Sequence, residues 1–140
     1  MQIHFDADTS DWLRAFANVE ARIANATPAH EAIGDFLTAE AVGNIDRDGG
    51  AVRWPPLKPE TLRRHPRPGD KMLVVTGRLR GSMTKDVHPD YVDVGSSVEY
   101  ARTQFYGRRP VPKRTPFAWL SGTMQRVGEI YIRWLIGGLR

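Results

Sequence analysis

Cysteine is absent from all 140 residues. That excludes a disulfide framework, a thiolate metal site and a cysteine nucleophile together. Long apolar runs are missing as well. Each uncharged hydrophobic stretch ends after a few residues, far short of the roughly 20 needed to cross a bilayer. The opening, Met1-Gln2-Ile3-His4-Phe5-Asp6, has neither the basic start nor the apolar core of a signal peptide. The expectation is a soluble protein made in the cytoplasm, with no membrane contact. Lysine is scarce, at four of the twenty bases, and histidine numbers only four. Arginine takes their place with sixteen residues, and its planar fork suits carboxylates, phosphates and protein interfaces. A chain of this length, 41% hydrophobic and 26% charged, reads as one globular domain over residues 1–140.

The charge is unevenly spread. Residues 1–50 hold nine acids and three bases, whereas residues 51–140 hold seven acids and seventeen bases. One reading is a solvated basic surface, since net charge bears on association and not on fold. The sharper reading is one acidic and one basic face, which suits head-to-tail packing of identical subunits in a ring.

Periodicity and turn chemistry divide the chain. Thr9-Ser10-Asp11 offers capping oxygens for a helix carrying Trp12, Leu13, Phe16, Val19 and Ile23 on one stripe. Thr27-Pro28 opens a second helix, with Ile33, Phe36, Leu37 and Ala41 facing inward and an end near Asn44. A short link between them predicts an antiparallel helix pair, preceded by a short edge strand over Gln2–Phe5. Residues 51–71 are dense in proline (Pro55, Pro56, Pro59, Pro66, Pro68), which removes ladder donors and predicts an extended arm or long loop with a helical turn over Glu60–Arg64. Next come a short helix capped by Thr76, a hairpin over Thr84–His88 and Tyr91–Gly95, and one or two helical turns ending at Gly107. A second basic, proline-rich loop spans Arg108–Pro116, and an amphipathic helix capped by Ser121 closes the chain. The fold class is α+β: an N-terminal helix pair, an extended Pro-rich arm, a small antiparallel β-sheet and a C-terminal amphipathic helix.

Catalytic signatures fail one after another. His30-Glu31 begins like a zinc-protease helix, but Gly34 stands where the second histidine belongs. His4, His65 and His88 are scattered, and a metal site needs convergent ligands. Gly77-Arg78-Leu79-Arg80-Gly81-Ser82 lacks the Gly-Lys ending of a phosphate loop. Asp46, Asp48, Asp70, Asp86 and Asp90 sit in or beside turns, where carboxylates form turns more often than they hold magnesium. The expectation is no enzyme, no metal and no cofactor. Two basic loops with Trp54 and Tyr106 as stacking groups leave a small nucleic-acid-binding protein as the alternative reading. The residues expected to touch partners are Trp54, Leu57, Arg63, Arg64 and Arg67 in the arm, with Arg108, Arg109 and Arg114 in the second loop.

A series of spaced motifs goes further. Trp54-Pro55-Pro56-Leu57 precedes Leu73-Val74-Val75-Thr76-Gly77-Arg78-Leu79-Arg80-Gly81-Ser82, then Val92-Asp93-Val94-Gly95-Ser96 and Tyr100-Ala101. Gln104-Phe105-Tyr106-Gly107 and Pro112-Lys113-Arg114-Thr115-Pro116-Phe117 come after them in the same order. Over residues 48–121 this resembles the phage virion morphogenesis family of tail-completion proteins. Thr103 stands where the family pattern has His, Tyr106 is added before the glycine, and Lys113 and Thr115 depart from the family's Pro-Ala-Arg-Pro-Phe. The resemblance implies a structural subunit of the head–tail neck that completes or joins the tail. It also implies a homo-oligomeric ring, with six copies as the expected count, surrounded by other neck and tail proteins. Non-specific contact with passing DNA and residence in the virion are implied by the same likeness, which carries over no catalytic residue.

Overall fold

Helix α1 (Ser10–Ala24) contains the whole apolar stripe Trp12, Leu13, Phe16, Val19 and Ile23, yet none of its fifteen residues is buried by the described residues. This computed structural model describes residues 9–64 and 71–137; the expected Gln2–Phe5 strand and Arg67 lie outside them. Trp12 and Phe16 are each 68% exposed. The antiparallel pairing expected between α1 and α2 (Thr27–Asp46) is therefore not formed. The cause lies in the link and in one arginine. The Asn25 side-chain oxygen accepts from the Thr27 backbone N–H and hydroxyl at 3.2 and 2.7 Å, which sets the turn. Arg22 donates to the Trp134 carbonyl and lies 5.7 Å from the centre of that indole ring, so α1 leans on the last helix instead.

The centre of the molecule is α2. Its buried members are Ala29, Ile33, Gly34, Ala41, Asn44 and Ile45, half of them Ala or Gly. At Gly34 a Cβ would stand 2.8 Å from the Lys85 side chain and 2.9 Å from that of Val92, so its absence lets a sheet approach the helix. That sheet is the hairpin of β1 (Met83–Val87) and β2 (Val92–Ser96), antiparallel with Met83 opposite Ser96 and Val87 opposite Val92. On its other flank α2 packs against α6 (Ser121–Ile136). A satellite core forms where α4 (Arg78–Gly81) meets α5 (Ala101–Tyr106), with α3 (Pro59–Arg64) on the arm between α2 and α4. Leu79, Ala101 and Phe105 are buried there, and Phe117 meets Phe105 edge-on at 5.2 Å. The α+β class agrees with the sequence pattern.

Three helix starts differ by one residue from expectation. Ala26, Gly77 and Leu120 occupy the cap positions assigned to Thr27, Thr76 and Ser121. Thr76 still serves its helix, because its hydroxyl accepts from Arg78 N at 3.3 Å. The helix expected to stop near Asn44 runs on to Asp46.

The turn after α2 is densely hydrogen-bonded. Asp48 and Gly49 take positive φ values of 57° and 135°, turning the backbone so that Gly49 N donates to the Asn44 carbonyl at 2.8 Å. Buried Asn44 donates through Nδ2 to the Pro116 carbonyl at 2.8 Å and accepts at Oδ1 from Arg47 at 2.9 Å. Asp48 accepts from Trp54 N through its carbonyl at 3.1 Å and from Met72 N through its carboxylate at 2.7 Å. Ala51 N reaches the Ala118 carbonyl at 3.0 Å. These bonds tie the end of α2 to the arm and to the segment before α6.

Asn44→Ala strands the buried Pro116 carbonyl and is expected to cost roughly 2–3 kcal/mol in urea unfolding. Gly49→Ala adds a Cβ 2.5 Å from the Val52 carbonyl at a φ that disfavours side chains, and is expected to destabilise likewise. Asn18→Ala on exposed α1 should stay within about 0.5 kcal/mol of the parent.

Candidate functional site

The arm and the second basic loop close on each other, and the closure divides the residues expected to meet partners. Trp54 is 5% exposed, and its indole N–H donates to the Thr115 carbonyl at 3.1 Å. Arg114 is 6% exposed; its guanidinium donates to the Pro55 carbonyl at 2.9 and 3.3 Å and to the Pro56 carbonyl at 3.5 Å. Its backbone N–H meets the Gln104 carbonyl at 2.8 Å. The physical reason is that consecutive prolines leave carbonyls with no nearby ladder partner. A fork with several donors satisfies both, and the carbonyl dipoles stabilise the buried cation. These two residues act inside the protein, as a clamp.

The exposed members of the set lie at tips. Arg63 and Arg64 face solvent on α3, with Arg64 paired to Glu60 one turn earlier. Arg108 and Arg109 are exposed on the second loop, which Arg108 N closes by donating to the Val111 carbonyl at 3.0 Å, across a cis Arg109–Pro110 bond. Leu57 is half-buried and lines an open groove of about 910 Å³ between arm and loop. Pro56, Leu73, Val75, Tyr100 and Pro110 continue that apolar lining, while Lys58 and Arg78 supply cations. Such a surface suits an apolar segment flanked by acids.

Part of the acidic half is neutralised within the chain. Arg80 grips Asp46 with two hydrogen bonds of 2.8 Å, which hold the Asp46 carboxyl below the ordinary aspartate range although burial opposes them. Lys85 lies 2.7 Å from Asp35 and also binds Glu31; hydrogen bonds to Asp35 first and Glu31 second raise its pKa. The separation into an acidic and a basic half seen along the sequence is therefore blunted on the folded α2. The two described histidines make structural contacts: His30 Nδ1 lies 2.8 Å from the His88 carbonyl, and the His88 ring stacks on Tyr91 at 4.4 Å. Among the described residues no three His, Asp or Glu side chains converge on a metal position, and no helix is long and apolar enough to cross a membrane.

The surface that sequence reasoning missed is apolar. Trp12, Leu13, Phe16 and Ile23 on α1, with Met124, Ile132 and Ile136 on α6, stand exposed. Periodicity identified the α1 stripe but assigned it to the interior of its own chain.

Against this geometry, the model of the phage virion morphogenesis family matches residues 7–129. The chain belongs to that family. No curated protein and no solved structure matches it significantly. Membership makes it a protein of virion assembly, and the match begins well before the motifs that first suggested it. In this family member the motif residues are largely the ones that hold the fold. Trp54 and Arg114 form the clamp, Leu79, Phe105 and Phe117 the satellite core, and Gly107 ends α5 at a φ of 76°. The added Tyr106 projects to the surface at 75% exposure.

Arg114→Gln leaves at least one proline carbonyl without its donor and is expected to lower stability by roughly 2 kcal/mol. Arg109→Ala at the exposed tip is expected to change it by less than about 0.5 kcal/mol. For Asp46, a lowered folded pKa means its contribution is fully present above the ordinary value of 3.8 and fades as the pH falls through the lower folded one. Arg80→Gln should therefore reduce stability at neutral pH and flatten the acid limb below about pH 4, read as urea midpoints across a pH series.

Proposed function

We propose that the protein is a tail-completion subunit that joins phage tails to filled heads, acting in the neck as a homo-oligomeric ring of six copies around the DNA path. Its role is non-enzymatic: it works by fitting surfaces together. The observation that carries this reading is α1, a helix of fifteen residues that none of the described residues buries and that holds Trp12 and Phe16 outward. Exposed apolar surface on this scale marks a contact site. Family membership supports the assembly role. The exposed arginines at both tips, Arg63, Arg64, Arg108 and Arg109, would meet acidic surfaces of adjacent neck and tail proteins, or DNA without sequence preference.

Those same tips favour a second reading, a small basic nucleic-acid-binding protein. The two separate by salt response, since phosphate contacts make affinity fall steeply with salt concentration. The deciding experiment is electron microscopy of particles produced by phage lacking this gene. Filled heads and separate, finished tails are expected, with joining restored by added wild-type protein. Tailed, infectious particles in its absence would overturn the reading.

A further inference from the structure

The groove between the arm and the second loop joins an apolar lining to proline walls and charge of one sign. Leu57, Leu73, Val75, Leu79 and Tyr100 line it, with Val75 48% and Tyr100 42% exposed. Leu73 does so from a φ of 61°, a left-handed conformation that disfavours a residue with a Cβ and that is kept most often at contact and functional sites. Pro55 and Pro56 come from the arm, Pro110 and Pro112 from the loop. None of the four has an N–H. Arg114 takes the carbonyls of Pro55 and Pro56, and Val111 spends its N–H and its carbonyl on Arg108. Among the described residues that line the groove, Lys58, Arg78 and Arg114 are charged and no acid is present. Arg114 is committed to the prolines. No ion pair engages Lys58 or Arg78 among the described residues, and Glu60 on the same arm is held by Arg64. Exposed Arg63 and Arg109 carry the same sign onto the flanking tips.

We propose that this groove receives an amphipathic α-helix of another virion protein, its apolar side chains seated between the proline walls and its acidic side chains over Lys58 and Arg78. Peptides are commonly recognised as an added strand, as a polyproline helix or as an α-helix in a groove, and the walls discriminate among the three. An added strand needs free N–H and C=O groups along an edge, and here prolines and Arg114 remove them. A polyproline segment needs several aromatic rings to lie against, and Tyr100 is the one ring among the described lining residues. An α-helix brings its backbone hydrogen bonds with it and asks only for apolar surface and matching charge. At about 910 Å³ the groove takes several side chains from one helix face. Charge separates this partner from segments of the chain itself. His65-Pro66-Arg67-Pro68-Gly69-Asp70 offers no apolar side chain besides proline, and Arg67 offsets Asp70. The stripe of α1 is neutral, with Asp11 and Glu20 against Arg14 and Arg22. Resting on the assembly role proposed above, the groove gives one of its contacts a defined chemistry.

The test is a selection of displayed random peptides of about 16 residues, ~24 Å as a helix, on the purified full-length chain. Enriched peptides are expected to place apolar residues three and four apart with Asp or Glu beside them. No enrichment, or enrichment of alternating, proline-rich or basic peptides, would overturn the proposal. Synthetic copies of the enriched peptides are then titrated against variants at exposed positions, checked for parental circular dichroism and thermal midpoint. Lys58→Glu with Arg78→Glu is expected to weaken binding about tenfold or more, and unchanged affinity would overturn the assigned contacts. Val75→Lys adds a cation while removing apolar surface, and is expected to weaken binding several-fold. A gain there would make the surface a general polyanion site, nucleic acid included, and would overturn the helix. Deletion of residues 1–8, where Ile3 and Phe5 precede Asp6 and Asp8, is expected to leave affinity unchanged. A gain on deletion would place the chain's own start in the groove. Saturating peptide is expected to leave the sedimentation coefficient of any oligomer in place; peptide that separates copies would assign the groove to a second copy. Either result overturns the choice of partner. These measurements use purified protein and peptide, so they succeed or fail separately from the particle experiment that tests the neck role.

Discussion

The buried amide of Asn44 is the point on which the rest of the chain hangs. It reaches the Pro116 carbonyl, seventy-two residues away, and accepts from Arg47 in its own helix. Its backbone carbonyl receives the Gly49 N–H that closes the left-handed turn after α2. A side-chain amide can donate and accept together, which a carboxylate or an aliphatic group of the same size cannot. The arm therefore leaves α2 in a set direction, and the segment preceding α6 is held against the same spot. The hairpin and α6 cover α2 on either side, and the satellite core closes the far end.

From that knot the two irregular stretches become one surface. Trp54 and Arg114 tie the arm and the second loop from within by satisfying carbonyls of Thr115, Pro55 and Pro56. The groove between them is thus a product of folding. A stretch of repeated prolines cannot pair through its own N–H groups, so its position is fixed by carbonyls and by whatever donors reach them. The apolar face of α1 is the opposite case, a regular element with its stripe directed outward.

Much of the fold is legible in the residues themselves. The hairpin, the end of α5 at Gly107 and the presence of a long α2 come from alternation, a turn pair and helical spacing, each a local signal. The exposure of α1 is not legible, because a stripe of Trp12, Phe16 and Ile23 looks the same whether its own chain covers it or not. Neither is the burial of Arg114. An arginine in a basic loop reads as solvated, and only the fold brings Pro55 and Pro56 to it. The caps slip by one residue because local turn geometry, and not residue type alone, sets where the first helical residue falls.

The clamp has an evolutionary corollary. Since Arg114 and Trp54 orient the two loops from the inside, the outermost side chains at Arg63, Arg64, Arg108 and Arg109 are relieved of any duty in keeping shape. They can change without loosening the clamp, so the rim is open to substitution while the chassis beneath stays constant.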